Sequence, residues 1–103
     1  MEAAPTTVVA RSVRVRDLPE TASEALLRAL FVPFGEVSGV RLGVARAPGG
    51  RPVCSGDALV TMSEAEDAVA ASENLHNSEV FGKVIRVKAA GPQDFADLGV
   101  ASS

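Results

Sequence analysis

The sequence predicts an α+β sandwich, a four-stranded antiparallel sheet with two helices on one of its faces. Three observations predict it. Four segments alternate apolar with polar residues, the period of a half-buried strand. Two other segments repeat apolar residues at intervals of three and four, the stripe of an amphipathic helix. The six segments follow in the order strand, helix, strand, strand, helix, strand. With 103 residues, 47% of them apolar and 22% charged, the chain can build one core and no second domain.

Residues 1–10, MEAAPTTVVA, show no period and are expected as a flexible tail. Val13-Arg14-Val15-Arg16 alternates as a first strand, which Asp17-Leu18-Pro19 ends because proline offers a sheet no donor. Thr21 to Glu24 has capping-box spacing and opens a helix striped by Leu27, Leu30, Phe31 and Phe34, which Pro33 and Gly35 close. A second strand runs from about Val37 to Val44, with Val40, Leu42 and Val44 on one side and Arg41 on the other. Ala47-Pro-Gly-Gly50 reads as a flexible loop. In the third strand Ala58, Val60 and Met62 alternate with Asp57, Leu59 and Thr61. Ser63 to Glu66 repeats the capping-box spacing before a helix bearing Ala68, Val69, Ala71 and Leu75, with an exit turn over Asn74 to Asn77. The last strand, Val84 to Ala89, buries Ile85 and Val87 and exposes Arg86 and Lys88. Residues 91–103 are expected as a second flexible tail. The spacing of Phe95 and Leu98 beside Asp94 and Asp97 also allows a short helix lying over the sheet, its acids toward the arginines.

Two right-handed crossovers place both helices on one side of such a sheet, the ferredoxin-like βαββαβ arrangement. The outward strand residues then share the opposite, uncovered face. A net charge of −3 argues against bulk electrostatic gripping of nucleic acid. The acids, however, gather in the helical segments, and Arg14, Arg16, Arg41, Arg86 and Lys88 converge on the open face.

One cysteine, Cys54, and one histidine, His76, exclude an internal disulfide and make a metal cluster improbable. His76 is expected in a solvated turn and Cys54 half-buried at the start of the third strand. Gly49-Gly50 lacks the lysine and the strand-to-helix context of a phosphate loop. No catalytic residue, metal or cofactor is assigned. No apolar run approaches the roughly 20 residues of a membrane span, and Met1-Glu-Ala-Ala-Pro5 lacks the charged and apolar regions of a secretory signal. A monomeric intracellular module follows as the expectation.

Over residues 11–90 the chain resembles the RNA recognition motif family. The resemblance is carried by Phe31-Val-Pro-Phe34-Gly35-Glu-Val, and by Asn74-Leu75 followed by Phe81-Gly82-Lys-Val-Ile85-Arg-Val87. It implies single-stranded RNA as ligand and an RNA-processing setting, nuclear before cytoplasmic. The family stacks bases on aromatic side chains of its two central strands. Here those positions match Arg14, Asp57 and Leu59, and a basic position matches Ser55. Each stacked base is worth roughly 1–3 kcal/mol, so binding without those rings is expected to be weak. Arg14 can lie flat on a base while Arg16, Arg41, Arg86 and Lys88 meet phosphates, and Arg46 and Arg51 can add contacts from the loop. Alternatively, Arg14 and Asp57 form a cross-strand ion pair on a solvated sheet. A different use of the same face is protein binding within a ribonucleoprotein complex. Leu59 would be its apolar centre and Arg14, Arg41 and Asp57 its rim. Glu79-Val80-Phe81 has Glu where the peptide-capturing branch of the family has Arg, so Phe81 is read as a core or rim anchor.

Overall fold

A computed structural model describes residues 6–98. The expected tails therefore fall partly outside the described residues, at 1–5 and 99–103. The elements are α1 (Thr6–Ala10), β1 (Ser12–Arg16), α2 (Glu24–Phe31), a single 3-10 turn (Val32–Phe34), β2 (Val37–Arg46), β3 (Pro52–Met62), α3 (Ala65–Leu75), β4 (Glu79–Val80), β5 (Lys83–Val84), β6 (Arg86–Ala89) and α4 (Pro92–Asp97). The main sheet has the order β2-β3-β1-β6, every pair antiparallel, and β4 and β5 form a separate hairpin. This is the expected βαββαβ sandwich with three additions: α1, the small hairpin and α4.

Side-chain alternation sorts the sheet into two faces. Val13, Val15, Ala58, Val60, Met62 and Val87 point inward, and with Leu27, Phe31, Ala68, Ala71 and Ile85 they form the core. Phe31 and Leu27 are fully buried and set the helix layer against the strands. Such burial stabilises by about 1.5–3 kcal/mol for each large side chain.

Several local expectations are corrected. Helix α2 starts two residues later than its spacing suggested. The backbone N–H of Ala22 donates to Pro19 O in a turn that uses up Thr21, so Ser23 becomes the cap and accepts from the Leu26 N–H at 3.1 Å. At α3 the cap residue is Glu64 without a side-chain cap, and Ser63 Oγ instead donates to Glu36 Oε1. Val44 is 66% exposed, because a register shift between Leu42 and Val44 carries the β2–β3 hairpin beyond the helices. Ala47 to Gly50 is a closed turn, with Ala47 N–H donating to Arg51 O and Gly50 N–H to Ala47 O. Cys54 is buried rather than half-buried. His76 joins two elements, its Nδ1 accepting the Val87 backbone N–H at 3.1 Å. Phe81 is not part of the core. It sits at the tip of the β4–β5 hairpin with φ 48° beside Gly82 at φ 83°, a two-residue turn of the primed type, and it is 71% exposed.

Candidate functional site

The outer face of the sheet follows from strand register. Arg41 of β2 lies opposite Leu59 of β3, Leu59 opposite Arg14 of β1, and Arg14 opposite Lys88 of β6. Arg16 and Arg86 form the next row at the β1–β6 side, and Asp57 follows Leu59 two residues back on the same face of β3. All seven outward residues named from the sequence therefore share one face. Arg46 and Arg51 lie at the loop that joins β2 to β3 rather than in these rows. They stand at the far end of the β2–β3 hairpin, where the Arg46 guanidinium donates to its own loop at Gly50 O.

That face is not open. Residues 92–97, expected as flexible tail, form α4, which lies across the sheet. Pro92 suits the first helical turn because its missing N–H would be unpaired there anyway. Asp94 then does two things. Its Oδ2 accepts the Gly91 N–H at 2.8 Å, closing the helix start, and its Oδ1 accepts from Arg14 Nη1 at 2.7 Å. Asp57 meets the other Arg14 amino group at 3.2 Å, and Asp97 stands 3.8 Å from the first. Arg14 and Asp57 do pair across the strands, as one of the two readings had it, but beneath a cover rather than in solvent. The Arg14 side chain is only 9% exposed. Its Nε–H is buried with no hydrogen-bond partner among the described residues.

Phe95, three residues before Leu98, is 3% exposed. It shares a cavity with Leu59, Thr61, Arg41 and Val8, so α4 and α1 together roof the β2–β3 side of the face. Leu59, expected as an accessible apolar centre, is 2% exposed, and Arg14 is 7% exposed. Gly43 keeps the floor low here: a Cβ at that position would lie 3.1 Å from Leu98 Cδ2 and closer still to Ser55 Oγ. At the other end Ser12 Oγ donates to Val8 O and pairs with Thr61 Oγ1 at 2.7 Å. Arg16, Arg41, Arg86 and Lys88 remain exposed around this cover.

The residues that the open-sheet reading leaves out are Asp94, Phe95, Asp97 and Leu98. Their signal was present in the spacing of Phe95 and Leu98 and in Pro92 at a helix start. A second cavity, of about 640 Å³, opens at the loop end between Asp17, Glu20, Arg46, Asp57, Phe81 and Lys83, and its charges are mixed. Among the described residues no group of three His, Cys, Asp or Glu side chains is placed to hold a metal ion. No described helix is long and apolar enough to cross a membrane.

Comparison with known proteins agrees with this geometry. The family model of the RNA recognition motif matches residues 13–86. Scaffold attachment factor B1 of Rattus norvegicus and of Mus musculus are each 40% identical to the chain over 81 residues, or 78% of it. Scaffold attachment factor B2 of Homo sapiens is 36% identical over the same length. The chain spans about 8% of the length of these relatives. Among solved structures, RNA binding protein PG1 superposes with a TM-score of 0.69 at 29% identity, covering 78% of this chain and 93% of that one. The penultimate RNA recognition motif of hypothetical RNA-binding protein RBM19 shares the fold, with a TM-score of 0.67 at 19% identity over 75% of this chain and 79% of its own. With the βαββαβ sheet, its basic outer face and these matches together, the chain belongs to the RNA recognition motif family, an RNA-binding rather than a catalytic class of domain.

Proposed function

We propose that this chain is an RNA-binding module of the RNA-processing type, which contacts single-stranded RNA weakly through its basic sheet face and does so in competition with α4. The observation that supports it is the row Arg41, Leu59, Arg14 and Lys88, set side by side across four strands with Arg16 and Arg86 beside it. Cations in one plane at strand spacing meet successive phosphates, and the Arg14 guanidinium offers a flat surface for a base. The residues at the stacking positions are Arg14, Asp57 and Leu59, so charge and hydrogen bonding must supply what rings supply elsewhere in the family. We take the setting to be nuclear and the chain to act as a monomer. Membership of the family and relatives named scaffold attachment factors support that setting. No cofactor or metal enters the mechanism.

The cover makes the binding conditional. Asp94 and Asp97 stand where RNA phosphates would stand, so bound RNA and docked α4 exclude one another over Arg14. The test is a titration of a fluorescent single-stranded octamer into wild type and Phe95→Ser, at 50 and 300 mM salt. Three to five phosphate contacts give a logarithmic salt slope of roughly −2 to −3.5, a loss of about 40- to 500-fold over that range. Phe95→Ser is expected to bind about ten-fold tighter than wild type, equivalent to freeing about 1.4 kcal/mol of cover. A folded Phe95→Ser variant that shows no salt-dependent RNA binding overturns the RNA reading and leaves the face to a protein partner of a ribonucleoprotein complex, whereas one that binds RNA no tighter than wild type overturns the competition with α4.

A further inference from the structure

The β1–β6 side of the outer face holds four cations in a block. Arg14 lies opposite Lys88 and Arg16 opposite Arg86, and like charges directly opposite each other destabilise a strand pair. The docked helix relieves this only in part. Asp94 binds Arg14 at 2.7 Å but stands 4.0 Å from Arg16. Asp17 reaches Arg86 at 3.4 Å, yet both side chains are more than half exposed, so that pair contributes little. Lys88 makes no ion pair among the described residues. Between these groups lies a cavity of about 280 Å³, lined by Arg14, Arg16, Arg86, Lys88, Ala89 and Asp94. A water molecule occupies about 30 Å³ in the liquid, so the cavity has room for a tetrahedral oxyanion and several waters. Arg14 adds an independent sign of an incomplete site, because its buried Nε–H has no partner among the described residues and an unsatisfied buried donor is costly.

We propose that this pocket takes a phosphate group while α4 is still docked, that the phosphate belongs to single-stranded RNA, and that filling the pocket loosens α4. The identity of the ligand rests on the RNA reading above; the chemistry of the pocket does not. Arg16 and Arg86 present planar forks that match phosphate oxygens, and Lys88 adds a point charge. With α4 in place these three and Arg14 face the four carboxylates of Asp17, Asp57, Asp94 and Asp97, so phosphate binds weakly. With Asp94 and Asp97 withdrawn, two positive charges are unmatched and it binds more strongly. Phosphate and α4 therefore oppose one another, and linkage makes the effect reciprocal. An RNA that arrives by one phosphate at the β1–β6 edge begins to release the cover over Leu59 and Arg41.

The test is two-dimensional NMR on the full chain at constant ionic strength, titrating sodium phosphate, uridine 5′-monophosphate and a uridine hexamer in turn. Phosphate is expected to shift the amides of residues 14, 16, 86 and 88 saturably. Asp94→Asn is expected to tighten phosphate about five-fold and Lys88→Gln to weaken it about five-fold, each close to 1 kcal/mol. Arg28→Gln on α2, the same change of charge elsewhere, is expected to leave phosphate binding unaltered. The absence of a saturable shift with sodium phosphate overturns the pocket, as does an equal response of Lys88→Gln and Arg28→Gln. The two readings fail separately. A hexamer that binds no tighter than the monophosphate overturns the assignment to RNA while the phosphate pocket stands. A hexamer that binds Phe95→Ser when wild type shows no phosphate site overturns the pocket alone.

Discussion

On its inner face the sheet presents Val13, Val15, Ala58, Val60, Met62 and Val87 to two helices, and those residues are almost completely buried. On its outer face it presents Arg14, Leu59 and Asp57 to the six-residue α4, with Val8 of α1 beside it, and α4 is held by the buried Phe95 and a cluster of carboxylates around one guanidinium. The core and the patch around Arg14 and Leu59 are both buried, but by different means. The inner contact is broad and apolar, so losing it means unfolding. The outer contact buries one large apolar side chain, Phe95, worth about 1.5–3 kcal/mol. A cover built this way can leave while the sheet beneath it stays folded.

The comparison can be broken from its stronger side first. Phe31→Ala removes a fully buried ring from the core and is expected to cost about 3–5 kcal/mol, read as a lower midpoint in chemical denaturation. Phe95→Ala removes a ring of the same size and is expected to cost no more than about 1.5–3 kcal/mol. Its loss should appear as faster amide exchange confined to α4 and the residues beneath it. Equal losses of global stability in the two variants would mean that α4 is an integral part of the core. A milder change is Asp94→Asn. Asp94 accepts from the Gly91 N–H through one oxygen and from Arg14 through the other, whereas Asn keeps a single acceptor oxygen, so the charge and one of the two hydrogen bonds are lost, at about 1–2 kcal/mol of α4 docking. Amide exchange at Leu98, whose N–H donates to Asp94 O, is the readout.

The inner face was legible in the sequence because burial on one side forces a strict alternation, and Val13-Arg14-Val15-Arg16 can be aligned in only one way. The same alternation sent Arg14, Arg41, Leu59 and Lys88 to the outer face. What the sequence did not decide was whether anything covers them. Six residues containing Phe95, Asp94 and Asp97 carry too little apolar surface to form a helix alone, and their order comes from groups supplied by distant strands. Thr21 and Glu24 misled for a related reason, since the turn that ties Ala22 to Pro19 moved the cap to Ser23. Of the two places read for Phe81, core or rim, the core is ruled out. A tight hairpin with two positive φ angles left it at the tip.

The smallest expected effect also separates the two parts of the outer contact. Raising salt from 0.1 to 1 M shortens the screening length from about 10 Å to about 3 Å. The Arg14–Asp94 pair, at 2.7 Å and mostly buried, lies inside either length and is little affected. The Arg14–Asp97 pair at 3.8 Å and the Arg16–Asp94 pair at 4.0 Å each include a side chain about half exposed, and they weaken by a few tenths of a kcal/mol together. Opening of α4, followed at the Leu98 amide, is therefore expected to rise about two-fold, while exchange at Val15 and Val60 stays unchanged. A rise of ten-fold or more would show that the exposed pairs, rather than Phe95 and the buried pair, hold the helix down. A fall would show that Phe95 dominates, because screening cannot strengthen an ion pair, whereas exclusion of salt from apolar surface favours keeping that ring buried.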